Sequence, residues 1–242
     1  MASKNTFKSW IIYEDDNLLM VNKPAGISSL HERNDTEITS VIGLARDYSG
    51  DIQLCHRLDR ETSGCLLMAK TPETYRHIAM QFERRKIKKK YHAIVEGNIE
   101  FENLEVNLPL FTDSKRRVQV SHKNGKDSLT IFNTLKTYEH FSLIECEPVT
   151  GRLHQIRVHL ASQNARIVAD EQYGGKLPYL SRMKRKFKLS KANENESPIL
   201  NRVALHSFSL GFEDIENKPM HFESAYPKDL EVFVKLLEKY DS

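Results

Sequence analysis

The chain has 242 residues, of which 39% are hydrophobic and 29% are charged, and its formal net charge at pH 7 is +3. This composition is typical of a soluble globular protein with enough apolar residues for a sizeable core. No segment approaches the roughly 18 consecutive apolar residues of a membrane span, and residues 1–8 lack the apolar core of an export signal. We therefore expect a cytoplasmic protein that does not use a membrane as its partner.

The first half of the chain alternates short strands with helices. Strands are predicted at 10–13 and 18–22, and apolar residues at helical spacing predict a helix over 36–48. Residues 52–55 and 65–69 are predicted as buried strands on either side of a polar loop. Thr71-Pro72 predicts a helix start, because proline suits the first helical position. That helix runs into a basic segment, 84–90, and a strand is predicted at 91–97.

The second half is richer in strands. They are predicted at 106–110, 117–121, 129–135, 141–147, 203–212 and 220–223, with helices at 152–163 and 227–240. Residues 176–200 are polar, then basic, then rich in Asn and Glu, which predicts a mobile basic loop or insertion. With no internal repeat and no domain linker, we expect one domain, 1–242. Its class is α+β, with a mixed, largely antiparallel β-sheet and flanking helices.

Metal and cofactor motifs are missing. Cys55, Cys65 and Cys146 are odd in number and lack Cys-x-x-Cys spacing, which fits reduced thiols and not a zinc site. His154 and His159 do not have the spacing of a His-Glu-x-x-His zinc helix, and the sequence has no Gly-rich dinucleotide fingerprint or phosphate loop. We expect neither a metal nor a cofactor.

Positive charge is concentrated in two runs. Residues 84–90 hold six positive charges and no negative ones. The second run, 182–191, contains Arg182, Lys184, Arg185, Lys186, Lys188 and Lys191. Two such runs on a nearly neutral chain favour a polyanionic partner, most commonly nucleic acid. The alternative is a solvated basic face.

The polar loop at 56–64 places Asp59 between Arg57 and Arg60. A charged β-turn with a structural Asp–Arg pair is the simple interpretation. The alternative is a catalytic carboxylate acting as nucleophile or base on a glycosidic carbon or an electrophilic ring, kept ionised by the arginine. Tyr91 directly follows the first basic run, and an aromatic ring there could stack on an extruded base, an interaction of roughly 1–3 kcal/mol.

His-Arg-Leu-Asp-Arg-Glu-Thr-Ser-Gly, at 56–64, resembles the signature of the RluA family of pseudouridine synthases. Val-Asn-Lys-Pro-Ala-Gly at 21–26, Lys-Tyr-His-Ala-Ile-Val-Glu-Gly at 90–97 and Thr-Gly-Arg-Leu-His-Gln-Ile-Arg-Val-His at 150–159 are similar to further family motifs, in family order. Residues 170–175 and 204–207 match later blocks, so the resemblance covers nearly the whole chain. Ala169 stands where the family usually has glycine, and 224–227 only approximate the family's ending.

The resemblance implies the pseudouridine synthase fold, with a catalytic cleft across the sheet, and isomerisation of uridine to pseudouridine in RNA without metal or cofactor. It implies that Asp59 is catalytic, that Tyr91 stacks on the uracil and that Arg157 pairs with Asp59. Whether Asp59 attacks C1′, adds to the ring or removes a sugar proton is left open. Together with the basic runs, it predicts contacts to substrate or RNA from His56, Arg57, Arg60, Lys86, Lys88, Lys89, Lys90, Arg152, His154, Gln155 and Leu205.

The expected partner is RNA, either ribosomal or transfer RNA, bound by a monomer without an obligate protein partner. We expect no RNA-binding domain of the S4 type before residue 10; family members that carry one tend to modify large-subunit ribosomal RNA, so the target stays open. Two alternatives are a non-catalytic RNA-binding or assembly module on the same fold, and an RNA-cleaving enzyme that uses histidines. The latter would need paired histidines or metal ligands, and no such pattern is evident.

Overall fold

The computed structural model describes residues 4–31, 39–184, 187 and 195–241. The chain divides into two compact units, unit 1 comprising Met1–Lys90 and His206–Ala225, and unit 2 comprising Tyr91–Leu205 and Tyr226–Ser242. The strands are β1 Ile11–Glu14, β2 Leu18–Lys23, β3 Gln53–Leu54, β4 Ser63–Ala69, β5 Lys88–Glu96, β6 Leu104–Asn107, β7 Leu110–Thr112, β8 Val118–Val120, β9 Leu129–Thr137, β10 Phe141–Pro148, β11 Leu205–Glu213 and β12 Pro219–Glu223. The α-helices are α1 Lys4–Lys8, α2 Val41–Ser49, α3 Pro72–Glu83, α4 Gln155–Ser162 and α5 Lys228–Tyr240.

Unit 1 has a mixed sheet in the order β1-β2-β4-β11, with β3 pairing β4 and β12 pairing β11. Only the β4–β11 pairing is parallel among these; the other four are antiparallel. All seven residues of β4 are buried, as expected for a central strand covered on both faces. The strand supports the polar loop that precedes it.

The core of unit 1 forms between this sheet and α3. Ile78 of α3 is fully buried and packs in a cluster with Leu18, Met20 and Leu67. The helix begins where the sequence predicts: Thr71 Oγ1 accepts the Thr74 N–H at 3.2 Å, and proline occupies the first turn. A hydroxyl cap of this kind stabilises a helix by about 1 kcal/mol.

Unit 2 has an antiparallel arrangement in the order β5-β10-β9-β6, beside the separate β7–β8 pair. Its core joins these strands to α4 and to α5, whose buried face consists of Leu230, Phe233 and Leu237. The predicted α+β class, with a mixed, largely antiparallel β-structure and flanking helices, is confirmed.

Several boundaries differ from the predictions. The helix predicted at 152–163 begins only at Gln155, because His154 adopts a left-handed conformation with φ 52°. Arg152 therefore lies in the preceding turn and not on the helix. The helix predicted at 36–48 begins at Val41, and residues 36–38 lie outside the described residues.

The predicted loop at 176–200 lies only partly in the described residues. A short 3-10 helix, Leu180–Arg182, falls within it, and residues 185, 186 and 188–194 lie outside the description. The prediction of a mobile loop, like that of a single domain, stays a prediction. Across the described ranges, no helix has both the length and the apolar character needed to cross a bilayer.

Candidate active site

The loop that carries Asp59 connects β3 to β4 in unit 1. Asp59 is half-buried, its neighbours Arg57 and Arg60 are exposed, and Leu58 is only 6% exposed. The Thr62 N–H donates to the Asp59 carbonyl at 3.1 Å and closes a turn. The carboxylate therefore sits on a short turn whose preceding residue is anchored in the interior.

Ser29 fixes the peptide groups before the carboxylate. Its Oγ accepts the Leu58 N–H at 3.1 Å and donates to the Leu58 carbonyl at 2.9 Å. Ser29 is 4% exposed, so both bonds are shielded from water. Satisfying both polar groups of a buried residue avoids a cost of about 1–3 kcal/mol per unsatisfied group.

Lys23 and Gly26 fix the chain after the carboxylate. The Lys23 side chain is fully buried, and its Nζ donates to the carbonyls of Pro24, Ile27 and Arg60 at 2.9, 2.8 and 3.1 Å. The Gly26 N–H also donates to the Arg60 carbonyl at 2.9 Å, and Arg60 Nε donates to the Gly26 carbonyl at 3.0 Å. Two residues of the motif at 21–26 thus hydrogen-bond to Arg60, the residue that follows Asp59.

His56 has an internal role in unit 1. Its Nε2 accepts the Leu67 N–H of β4 at 3.1 Å, so the ring hydrogen is on Nδ1, and its ring lies 5.2 Å from that of Phe82. Burial, with a smaller effect of the Lys89 charge, lowers the pKa of His56 to about 3. A neutral imidazole therefore ties the start of the loop to β4. The predicted contact of His56 with RNA stays a prediction.

β11 holds the other end of the loop. Gly64 and Ser207 are paired, and a side chain at Gly64 would place its Cβ 2.2 Å from the Ser207 carbonyl oxygen. The buried His206 bridges Ser63 Oγ at 2.9 Å and the Ser224 carbonyl at 3.0 Å. Since a carbonyl only accepts, His206 Nε2 carries the hydrogen and Nδ1 accepts from the Ser63 hydroxyl.

The first basic run enters β5 within unit 1. Lys86 and Lys88 are exposed, and Lys89 and Lys90 are half-buried. Burial lowers the pKa of Lys89 to about 8, so this amine is still mainly protonated at neutral pH. Lys88 and Lys89, which are neighbours in β5, therefore have different environments.

Tyr91 is the first residue of β5 in unit 2. It is half-buried, lies opposite Cys146 of β10 and packs against the core of that unit. The next residue, His92, shares a hydrogen bond of 2.5 Å between its Nδ1 and the Tyr226 hydroxyl. Leu205, predicted to pack on the base, is 3% exposed and belongs to the same core.

Arg157 lies on the first turn of α4 and is buried. Its Nε and Nη2 donate to the two carboxylate oxygens of Asp170, each at 2.7 Å, and Nη2 also donates to Gln172 Oε1 at 3.2 Å. The guanidinium carbon lies 4.9 Å from the centre of the Tyr173 ring. Such a two-point ion pair fixes the plane of the guanidinium, and the predicted pairing of Arg157 with Asp59 stays a prediction.

The turn before α4 is organised by Gln155, which is 3% exposed. Its Oε1 accepts from Thr150 Oγ1 and from the Arg152 N–H, and its Nε2 donates to the Leu129 carbonyl and Thr130 Oγ1. All hydrogen-bonding positions of the amide are used inside unit 2. Gln155 thus holds the turn that carries Arg152, whose side chain is exposed. The RNA contacts predicted for Arg152 and Gln155 stay predictions.

His154 is likewise engaged inside unit 2, because its Nδ1 lies 2.9 Å from the Tyr173 hydroxyl. Tyr173 therefore contacts both His154 and Arg157. The backbone of Ala169 has φ 60°, the left-handed conformation that favours glycine. This explains physically why glycine suits the position where the chain departs from the family pattern.

The sequence does not predict the residues that support the site, which are Lys23, Ser29 and Asp170. Lys23 and Asp170 do lie inside motifs that the sequence shows, at 21–26 and 170–175. These motifs are the signal from which a supporting role could have been predicted. Ser29 has no such signal, because its contact with Leu58 spans 29 residues and depends on the fold. Asp59, Arg57, Arg60 and His56 fall in unit 1, and Tyr91, Arg157 and Leu205 in unit 2.

The sequence of the chain is similar to those of known RNA pseudouridine synthases. The family described as RNA pseudouridylate synthase matches residues 17–162. Ribosomal large subunit pseudouridine synthase C of Buchnera aphidicola is 38% identical over 213 residues, which are 85% of this chain and 63% of the relative. The Vibrio vulnificus protein of the same name is 33% identical over 230 residues, 94% of this chain and 69% of the relative. The chain thus spans under two thirds of the length of the Buchnera aphidicola relative.

A third relative and one solved structure extend the comparison. The dual-specificity RNA pseudouridine synthase RluA of Vibrio parahaemolyticus is 34% identical over 209 residues, 84% of this chain and 76% of the relative. Human RNA pseudouridylate synthase domain containing 4 matches with a TM-score of 0.76 at 22% identity, covering 97% of this chain and 95% of that chain. The structural match confirms the predicted fold.

Proposed function

The chain belongs to the RluA family of RNA pseudouridine synthases, and we propose that it isomerises uridine to pseudouridine in RNA. The observation that carries the proposal is the fixed position of Asp59. Ser29 binds the residue before it, and Lys23 and Gly26 bind the residue after it. A carboxylate held in this way is preorganised for chemistry on a bound nucleoside.

The reaction keeps the composition of the nucleoside. The N1–C1′ bond breaks, the uracil turns within the site, and a bond forms between C5 and C1′. The hydrogen on C5 is released as a proton, and N1 gains one. The target base leaves its stack first, at a cost on the order of a few kcal/mol that contacts to the RNA offset.

Asp59 supplies the essential carboxylate in this proposal, Tyr91 stacks on the uracil, and Arg157 pairs with Asp59. The ion pair with Asp170 fixes the plane of the Arg157 guanidinium, and a guanidinium held in one orientation supports the last assignment. Half-burial supports the assignment of Tyr91, since one part of the ring packs on the core and another part is accessible. Lys86, Lys88, Lys89 and Lys90 bind phosphates.

RNA is the proposed partner, and the relatives' names narrow its class. Two of them are named for the ribosomal large subunit and one for dual specificity on RNA. We therefore propose ribosomal or transfer RNA as the substrate of a cytoplasmic, monomeric enzyme. The three cysteines are free thiols, which supports a reducing compartment.

The test is analysis of the nucleosides in cellular RNA after incubation with the protein. Ribosomal and transfer RNA fractions, taken from cells that lack the gene, are incubated, digested and separated by chromatography. We expect pseudouridine to increase in one fraction while the RNA keeps its full length. Shortened RNA would indicate a cleaving enzyme, and bound but unchanged RNA would indicate a binding module; either result contradicts the proposal.

A further inference from the structure

A second basic feature lies in unit 2, around the end of α5. A cavity of about 620 Å³ is lined there by Glu139, His140, Ser181, Arg182, Met183, Lys184, Lys239 and Tyr240. The lining comes from three separate segments of the chain: the β9–β10 turn, the 3-10 helix with the residues after it, and the end of α5. None of these residues is among those assigned above to the chemistry.

The three cations at this cavity are Arg182, Lys184 and Lys239. Like several exposed cations elsewhere in the chain, they form no ion pair with the residues that the structure describes. By contrast, Arg117 pairs with Asp113, Lys218 with Glu216 and Lys235 with Glu231. Unneutralised cations that face one cavity create a local positive potential, which favours an anionic ligand.

Two of these cations lie beside an aromatic ring. Lys184 Nζ is 5.4 Å and Lys239 Nζ is 5.1 Å from the centre of the Tyr240 ring, which is half-buried. The two lysines reach the ring from different parts of the chain. Cations beside an aromatic ring are the combination with which proteins bind phosphates and stack on bases of single-stranded RNA.

The carboxylates near the cavity offset only part of this charge. Asp241 is fully buried, and its two oxygens bind His140, at 2.7 Å to Nδ1 and 2.9 Å to the backbone N–H. Glu196 accepts the Ser181 N–H at 2.9 Å and is not part of the lining. Glu139 is the one acidic side chain in the lining, against Arg182, Lys184 and Lys239.

We propose that this cavity binds the phosphate backbone of the RNA outside the nucleotide that is modified. The inference rests on the proposed function, because the ligand is the RNA substrate itself. Arg182, Lys184 and Lys239 pair with phosphates, and Tyr240 supports the two lysines and offers a stacking face. The site gives the protein affinity for RNA without taking part in the reaction.

The test compares two triple variants that lose equal charge. Arg182→Gln/Lys184→Gln/Lys239→Gln removes the cavity cations, and Arg117→Gln/Lys218→Gln/Lys235→Gln removes three paired cations that are 72, 70 and 67% exposed. Binding of fluorescein-labelled oligouridylate is measured by anisotropy over a range of salt concentrations. We expect the cavity variant to bind on the order of tenfold more weakly, with a salt slope smaller by about 2.

The control variant is expected to change both quantities much less. Equal binding by the two triple variants would overturn the inference, as would absence of oligouridylate binding by the wild type. Melting curves are recorded in parallel, because cations at a helix C-terminus also stabilise the helix. If the triple variant does not fold, the single variants Lys184→Gln and Lys239→Gln take its place, with Lys235→Gln as control.

Formation of pseudouridine separates this inference from the proposed function. We expect the cavity variant to raise the KM for RNA and to leave kcat unchanged. Pseudouridine formation by the wild type together with unchanged RNA binding by the cavity variant would reject the cavity alone. Weakened binding by that variant, with no pseudouridine formed by the wild type, would reject the proposed reaction and keep the cavity as an RNA site.

Discussion

Ser29 binds Leu58 at both of its backbone polar groups, accepting from the N–H at 3.1 Å and donating to the carbonyl at 2.9 Å. Leu58 directly precedes Asp59, so one buried hydroxyl fixes the peptide that leads into the proposed catalytic carboxylate. Lys23 fixes Arg60, the residue after Asp59, by donating a hydrogen bond to its carbonyl. The position of Asp59 therefore depends on contacts made on both sides of it by its neighbours.

Ser29→Ala tests this dependence. The substitution leaves a buried N–H and carbonyl without a partner, so we expect unfolding to become easier by about 1–3 kcal/mol. Because Asp59 is then held less precisely, kcat should fall about 10²-fold, while the KM for RNA changes little. Denaturant titration gives the stability, and steady-state assays of pseudouridine formation give kcat and KM.

Ser142→Ala is the matched control for Ser29→Ala. Ser142 Oγ accepts the Ile99 N–H at 2.8 Å and donates to the Gly97 carbonyl at 2.9 Å, in a fully buried position of unit 2. The Ser142→Ala variant should lose a similar amount of stability and keep the kcat of the wild type. An equal loss of kcat in both variants would mean that Ser29 acts only through general stability.

His56→Gln tests the neutral state of His56. The pKa of His56 is about 3 in the folded protein, against the ordinary histidine value of 6.5 in the unfolded chain. Between pH 3 and pH 6.5 the unfolded chain therefore binds more protons than the folded protein. The contribution to stability is therefore fully present above pH 6.5 and is lost as the pH falls towards 3. Gln keeps an acceptor for the Leu67 N–H but does not titrate.

We expect the unfolding free energy of the wild type to fall more steeply with acid than that of His56→Gln, by roughly 3 kcal/mol between pH 7 and 4. Denaturant titrations at several pH values measure the difference. His221→Gln, which changes an exposed histidine, serves as control and should follow the wild type. Parallel curves for the wild type and His56→Gln would show that His56 titrates normally in the folded state.

Lys88→Ala/Lys89→Ala tests the first basic run. If both side chains bind phosphates, RNA affinity should fall, and the slope of log affinity against log salt should become shallower by about 1.4. Filter binding at several salt concentrations measures both. Lys218→Ala/Lys235→Ala removes the same charge from ion-paired surface positions and should leave the slope near that of the wild type; an unchanged slope for Lys88→Ala/Lys89→Ala would rule out the assigned role.

Arg157→Lys tests the orientation of the guanidinium. Lysine keeps the charge but cannot bind both oxygens of Asp170 in one plane, so we expect a loss of about 2–3 kcal/mol in stability and about 10²-fold in kcat. Arg202→Lys breaks a similar two-point pair with Asp229, at 2.7 and 2.9 Å. It should lower stability while kcat is kept; unchanged kcat in Arg157→Lys would contradict the assigned role.

The sequence predicts most strands and helices because their apolar periodicity is local. It identifies the Asp59 loop through a contiguous motif, and the paired contacts of Arg157 with Asp170 lie within two recognisable motifs. It does not predict the role of Ser29, whose partner lies far along the chain. Nor does it show that His154 has positive φ and delays the start of α4, since that conformation depends on the surrounding turn.

The internal roles of Gln155 and His56 have the same origin. Both belong to motifs that resemble a family signature, so the sequence marks them as important without showing which way their side chains point. In the structure, Gln155 bonds to backbone and hydroxyl groups inside unit 2, and His56 bonds to β4 in unit 1. Side-chain direction is decided by packing between elements, which a motif does not contain.

The central claim is that Asp59 catalyses isomerisation, and release of tritium from RNA labelled at uridine C5 tests it most directly. Forming the bond between C5 and C1′ expels the C5 hydrogen into water. Wild type and Asp59→Asn, which is close in shape but cannot ionise, are incubated with the same labelled cellular RNA. We predict release by the wild type and none above background by Asp59→Asn; equal release by both, or none by the wild type from any RNA fraction, would contradict the account.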